Sequence, residues 1–113
     1  MLPGEAIGLR LYWKALRQPE ADYTVFAQVR AGDNQIVAQQ DGQPRNGAYP
    51  TTFWEAGEVV IDDRVIEIPA DAPAGHFSFK LGLYRPDDGT RLNVDGDPAV
   101  NEITPPVEIE VQR

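Results

Sequence analysis

Four large apolar residues alternate with small or polar ones in the segment GHFSFKLGLY, residues 75–84. A period of two sends successive side chains to opposite faces of a β-strand, so Phe77, Phe79, Leu81 and Leu83 share one face. Residues 86–89, PDDG, follow as a tight turn, because proline presets φ, aspartate bonds the local backbone and glycine accepts positive φ. Residues 90–94 can return as a paired strand. The sequence therefore predicts a strand–turn–strand unit with one strongly buried face.

Similar alternation predicts strands over residues 7–14, 23–29, 36–40 and 107–111. Residues 59–68 fit either one long strand or two short ones, broken near Asp62-Asp63-Arg64. Seven or eight strands result, with turn signals between them and no amphipathic helix. This pattern is typical of an all-β, antiparallel two-sheet β-sandwich of immunoglobulin or fibronectin type III character, and a jelly roll is the nearest alternative.

The 113 residues suffice for one domain, spanning residues 1–113, whose core needs no metal or disulfide. The chain has no cysteine and no apolar run long enough to insert into a membrane. Its formal charge is −8, all of it carried by the second half of the chain, which disfavours nucleic acids and anionic lipid surfaces as partners. We expect a monomer in isolation.

Residues 41–57 form the longest stretch without clear periodicity, and they hold Tyr49, Phe53 and Trp54. Long irregular connections are uncommon in compact domains and are often functional or self-packed. Burial of Phe53 and Trp54 in the sandwich is the favoured interpretation, since large aromatic residues dominate small cores. In the alternative interpretation, Tyr49, Trp54 and Tyr84 present a ligand or partner surface, for example by stacking on sugars.

Residues with catalytic or metal-binding chemistry are few. His76 and Ser78 share a strand face, but such neighbours lie roughly 6.5–7 Å apart at Cα, too far for a catalytic dyad. Asp62 and Asp63 are adjacent on a strand and point to opposite faces, so they cannot act as a facing pair of carboxylates. We therefore predict no catalytic residue, no cofactor and no metal ligand, and an independent hydrolase is the least favoured reading.

A surface calcium site is the one metal site left open. Asn93, Asp95 and Asp97 resemble the start of an EF-hand loop, but Pro98 and Thr104 then break its pattern. A looser site could use Asp95 with Asp97, or the two aspartates of the turn at residues 87–88.

Several short motifs together resemble a known domain family, over about residues 4–111. They are Trp13, DYTVF at 22–26, DGQP at 41–44, GAYPT at 47–51, WEAGE at 54–58, Asp62, PAGHF at 73–77, GLY at 82–84 and GTRL at 89–92. The chain is similar to the C-terminal β-sandwich domain of multi-spanning bacterial membrane glycosyltransferases, the relatives of dolichyl-phosphate-mannose–protein mannosyltransferases.

The resemblance implies an accessory or spacer domain on the extracytoplasmic face of the bacterial cell membrane, forming part of a longer membrane protein. The glycosyl-transfer residues of that family belong to its membrane part, so none carries over to this chain. The implied partners are the parent protein's own membrane domain or a glycan acceptor. A carbohydrate- or acceptor-binding module is the alternative function.

The absence of cysteine and the period-two runs predict a fold that is insensitive to reducing agent. Far-ultraviolet circular dichroism should give the same β-type spectrum with and without thiol. Substantial helix, or loss of structure on adding thiol, would contradict this expectation.

Overall fold

The computed structural model of the chain describes residue 2 and residues 4–93, 101–105 and 108–111. Within these ranges, the chain forms six β-strands and two short 3-10 helices. The strands are β1 (Ala6–Lys14), β2 (Thr24–Arg30), β3 (Ile36–Gly42), β4 (Val59–Glu67), β5 (Gly75–Tyr84) and β6 (Glu108–Val111), and the 3-10 helices are Pro44–Gly47 and Thr51–Phe53. No helix in the described ranges has the length and apolar character that crossing a membrane requires.

The strands form two antiparallel sheets of unequal width. The first sheet, sheet A, pairs β1 with β4, and the second, sheet B, has the order β3-β2-β5-β6. The register of sheet A runs from the pair Ala6 and Glu67 to the pair Lys14 and Val59. In sheet B, β2 is central and pairs with both β3 and β5.

The core lies between the two sheets and follows the period-two pattern. The inner face of sheet B supplies Val25, Ala27, Val29, Ala38, Phe77, Phe79, Leu81 and Leu83, and sheet A supplies Trp13, Val60 and Ile66. In β4, buried and exposed residues alternate along the whole strand. Because apolar burial is the main favourable term in folding, this shared core holds the two sheets together.

The outer face of sheet B is also covered, although by fewer residues. The Phe26 ring is 2% exposed and lies over Gly82, the residue opposite it on β5. The Arg91 guanidinium stacks on the Phe26 ring at 4.6 Å from the ring centre. Glu102 accepts hydrogen bonds from Arg91 at 3.0 Å and from Arg30 at 3.3 Å, so residues 101–105 are tied to this face.

The predicted all-β class and two antiparallel sheets are confirmed, and each predicted alternating run overlaps an observed strand. Residues 59–67 form one continuous strand, because Asp62 and Arg64 both face inward and keep its alternation unbroken. The prediction of a returning strand over residues 90–94 is wrong for its described part, where only Arg91 forms a single bridge, to Tyr84. The count of seven or eight strands is not confirmed, since the described ranges contain six.

Gly82 is the position where the fold tolerates a side chain least. A Cβ there would come within 2.5 Å of Phe26 Cε1 and 3.1 Å of the Asn101 carbonyl oxygen. We expect Gly82→Ala to lower the free energy of unfolding by about 1–3 kcal/mol, as overpacking does. Urea denaturation measures this change.

Gly8 in β1 provides the matched control, because a Cβ there would meet no atom within 4 Å. Gly8→Ala should leave the free energy of unfolding unchanged or slightly raised. Equal loss of stability in both variants would contradict the role assigned to the Phe26 contact.

Candidate functional site

One side of the sandwich is closed by a buried ion pair. Arg64 and Asp62 lie two residues apart on β4, so their side chains share the inner face. Their side-chain exposures are 3% and 1%. The Arg64 Nε donates to Asp62 Oδ2 at 2.7 Å. The other guanidinium nitrogens donate to the Gln40 side chain at 2.7 Å and to the Gly42 and Gln43 carbonyl oxygens. The pair therefore joins β4 of sheet A to the end of β3 in sheet B.

The hydrogen bonds of this ion pair also fix the chain that leaves β3. The second Asp62 oxygen, Oδ1, accepts the backbone N–H of Arg45 at 2.9 Å, at the start of the first 3-10 helix. Each carboxylate oxygen and each guanidinium nitrogen thus has a partner. A buried ion pair is tolerated only when its remaining donors and acceptors are satisfied in this way.

In the part of the chain that the structure describes, β1 has one edge that no other strand pairs with. The Ala15 N–H donates to the Glu58 oxygen and Ile68 N–H donates to the Glu5 oxygen, so the odd-numbered residues of β1 bond β4. In an antiparallel ladder, the alternate residues direct their N–H and C=O groups to the other edge. Within the described ranges, no strand pairs with that edge. The main-chain groups of Gly8, Arg10, Tyr12 and Lys14 are left on it.

A groove of about 780 Å³ lies at the C-terminal end of this edge, where Tyr12, Trp13 and Lys14 of β1 line it. We call it the β1 groove. Its apolar wall includes Trp13, Trp54, Leu83, Leu92 and Ile103, and its rim carries Lys14, Arg17 and Glu20. The groove therefore combines an apolar floor from both sheets with charged residues at its mouth, as is usual for binding sites.

Trp13 carries a buried hydrogen-bond donor that has no partner in the described ranges. Its side chain is 8% exposed and lines the groove, but its indole Nε1 has no hydrogen-bond partner among the described residues. A buried donor without a partner is costly, so native proteins rarely contain one without a reason. Trp54 differs, because its indole N–H donates to the Tyr49 carbonyl oxygen at 3.1 Å.

The charged side chains at the rim differ in whether they have a hydrogen-bond or ion-pair partner. The Tyr23 hydroxyl donates to Glu20 at 2.6 Å, which lowers the pKa of the Glu20 carboxyl and keeps it ionised. Burial, helped by this hydrogen bond, raises the pKa of Tyr23 to about 12. Lys14 and Arg17 are exposed and form no ion pair among the described residues. Lys14, Arg17 and the ionised Glu20 together leave the described rim with a small positive net charge.

The aromatic residues proposed from the sequence do not form one surface. Trp54 is 3% exposed, which confirms its predicted burial. The prediction for Phe53 is wrong: it is 62% exposed, because the second 3-10 helix turns its ring outward, edge-on to Tyr49 at 6.3 Å. Tyr84 has other neighbours, since its ring is near Phe26 and its hydroxyl donates to Asp41 at 2.9 Å.

Tyr49 is tied to the structure by its hydroxyl group. It donates to the Glu58 carboxylate at 2.8 Å, and this hydrogen bond raises the pKa of Tyr49. The pKa of Glu58 is lowered, first by the backbone N–H of Glu55 and then by Tyr49. Tyr49 and Glu58 thus brace the irregular segment that carries Trp54.

The candidate acidic residues have structural partners. Asp63 lies on the outer face of β4 and pairs with Arg10 at 2.7 Å, opposite in direction to Asp62 as predicted. In the turn after β5, Asp87 pairs with Arg85 and Asp88 accepts the Thr90 N–H. The described ranges contain no group of three or more histidine, cysteine or acidic residues placed to hold a metal ion. Asp95 and Asp97 lie outside the described residues.

Sequence reasoning did not find the β1 groove. The alternation of β1 predicts its half-buried face, but whether its edge is paired depends on strand order. Trp13 carried the only usable signal, as a large residue with a polar N–H on an otherwise apolar strand face.

His76 and Ser78 lie on the outer face of β5, opposite Glu110 and Arg30.

The buried pair Asp62–Arg64 and the exposed pair Asp63–Arg10 allow a matched test of how much the buried pair contributes to stability. Asp62→Asn would leave the Arg64 guanidinium buried without its counter-charge, so we expect the free energy of unfolding to fall by about 3–5 kcal/mol. Asp63→Asn breaks the exposed pair with Arg10 and should leave stability nearly unchanged, since solvent screens that pair. Urea titrations of both variants measure the difference, and equal effects would contradict this account.

Comparisons with protein-family models, with curated proteins and with solved structures each found no match to this chain. Its function is therefore argued from the groove and from the way its charged side chains are bonded.

Proposed function

We propose that the chain is a non-catalytic accessory module of a membrane-anchored bacterial glycosyltransferase-like protein, held on the extracytoplasmic face of the membrane. Its fold belongs to the immunoglobulin or fibronectin type III class. In this role the module contributes a contact surface, and the chemistry takes place elsewhere in the parent protein.

The β1 groove is the observation that carries this proposal. It combines an unpaired strand edge with an apolar wall, which is the arrangement of a docking site. The bonding of the acidic side chains supports the same reading. Asp62, Asp63 and Glu102 are engaged by arginine side chains, and Glu58 by Tyr49, so these carboxylates hold the fold together.

A blot of fractionated cells tests the membrane attachment. An antiserum raised against the purified domain should detect a protein much larger than 12.5 kDa in the membrane fraction. In spheroplasts, added protease should remove its signal, because the domain faces outward. A soluble band of 12.5 kDa, or protection from protease, would contradict the proposal.

A carbohydrate-binding module is the second candidate, favoured by the edge-on pair of Phe53 and Tyr49. Phe53 is 62% exposed and could stack on a sugar ring. Titration of an isotope-labelled sample with mono- and oligosaccharides separates the two functions. Clustered shifts around Phe53 at sub-millimolar sugar would favour the second candidate, whereas the accessory role predicts scattered shifts or none.

A further inference from the structure

We propose that the β1 groove binds an extended peptide segment of another protein chain, which adds to sheet A as a strand beside β1. Its inward residues are apolar and its outward residues are acidic. This inference rests on the proposed role as a contact module and names the class of partner.

The main-chain groups on the β1 edge select an extended peptide over a compact ligand. Alternate residues from Gly8 to Lys14 direct an N–H and a C=O to the open edge, spaced two residues apart. Only another extended backbone presents acceptors and donors at the same spacing of about 6.6 Å. Strand addition of this kind takes affinity from main-chain hydrogen bonds and specificity from pockets for alternate side chains.

The groove wall determines which residues of the peptide face inward. An added strand places alternate side chains opposite Leu11 and Trp13, between the two sheets. The side chain opposite Trp13 would meet Leu83, Leu92 and Ile103, which line the groove together with Trp13. Apolar side chains fit this wall, because the residues that line it are mostly apolar.

The charges at the rim determine the outward residues. Lys14 and Arg17 are exposed at the mouth of the groove, and neither has a carboxylate within 4 Å among the described residues. Glu20 stays ionised and its carboxylate interacts electrostatically with Arg17, so Lys14 is the rim cation that meets the outward residue of the peptide. The outward side chain opposite Lys14 is therefore acidic, since opposite charges on facing strands attract. A basic peptide would be repelled.

The test uses the intact chain, labelled with nitrogen-15, and the peptide acetyl-VEVEVEV-amide as probe. Binding should shift the Trp13 indole N–H resonance and slow the exchange of the backbone amides of Gly8, Arg10, Tyr12 and Lys14. The matched peptide acetyl-VKVKVKV-amide should bind more weakly, by about fivefold or more, at physiological salt, where the −8 charge of the whole chain is screened and the contact with Lys14 decides.

Two variants at one position separate strand addition from side-chain contact. Tyr12→Pro removes an edge N–H without touching the hydrogen bonds to β4, because proline is tolerated where the N–H faces away from the ladder. It should weaken peptide binding about tenfold relative to Tyr12→Ala. If Tyr12→Pro fails to fold, Lys14→Glu serves instead and should reverse the preference between the acidic and basic peptides.

Several results would overturn the proposal. Equal binding by Tyr12→Pro and Tyr12→Ala would show that no strand is added, as would binding without protection of the even-numbered β1 amides. If anilinonaphthalene sulfonate shifts the groove resonances while neither peptide does, the groove takes small apolar ligands. A membrane-bound parent protein together with no peptide binding would remove this inference alone and leave the proposed function standing.

Discussion

The buried pair of Arg64 and Asp62 determines how the two sheets meet. Both residues come from β4, yet their hydrogen bonds reach the β3 side chain of Gln40, the carbonyl oxygens that follow it and the Arg45 N–H. In a low-dielectric interior, an ion pair is stable only in one well-satisfied geometry. It therefore fixes the position of β4 in the two-stranded sheet against the end of β3 in the four-stranded sheet.

The open side of the molecule follows from that position. Sheet A lies against β3 at the corner closed by Arg64, and its other strand, β1, ends the sheet without a neighbour in the described ranges. Leu83, Leu92 and Ile103 line the groove, and in the described ranges sheet A has no further strand to cover them. Edge strands invite pairing with another chain, and proteins usually blunt them with charge or proline. β1 carries Arg10 and Lys14 on its outer face, but its C-terminal end also borders the apolar groove lined by Trp13.

The alternation of apolar and polar residues predicts most of the strands, because a strand with one buried face has an apolar residue at every second position. They predict that Phe77, Phe79, Leu81 and Leu83 face the core, and this is confirmed. They do not predict that Arg64 is buried, because charged residues are rarely internal unless paired, and its partners come from distant parts of the chain. The exposed Phe53 was missed for a related reason, since a short 3-10 helix has no periodic signal.

The groove depends on strand order, which alternation within single strands does not encode. In the described ranges, β1 bonds β4 along one edge and is unpaired along the other, and native-state amide hydrogen exchange tests this arrangement most directly. The amides of Leu9, Leu11 and Trp13 should be protected, while those of Gly8, Arg10, Tyr12 and Lys14 should exchange much faster. Equal protection of both sets in the isolated chain would contradict the open edge and with it the proposed binding site.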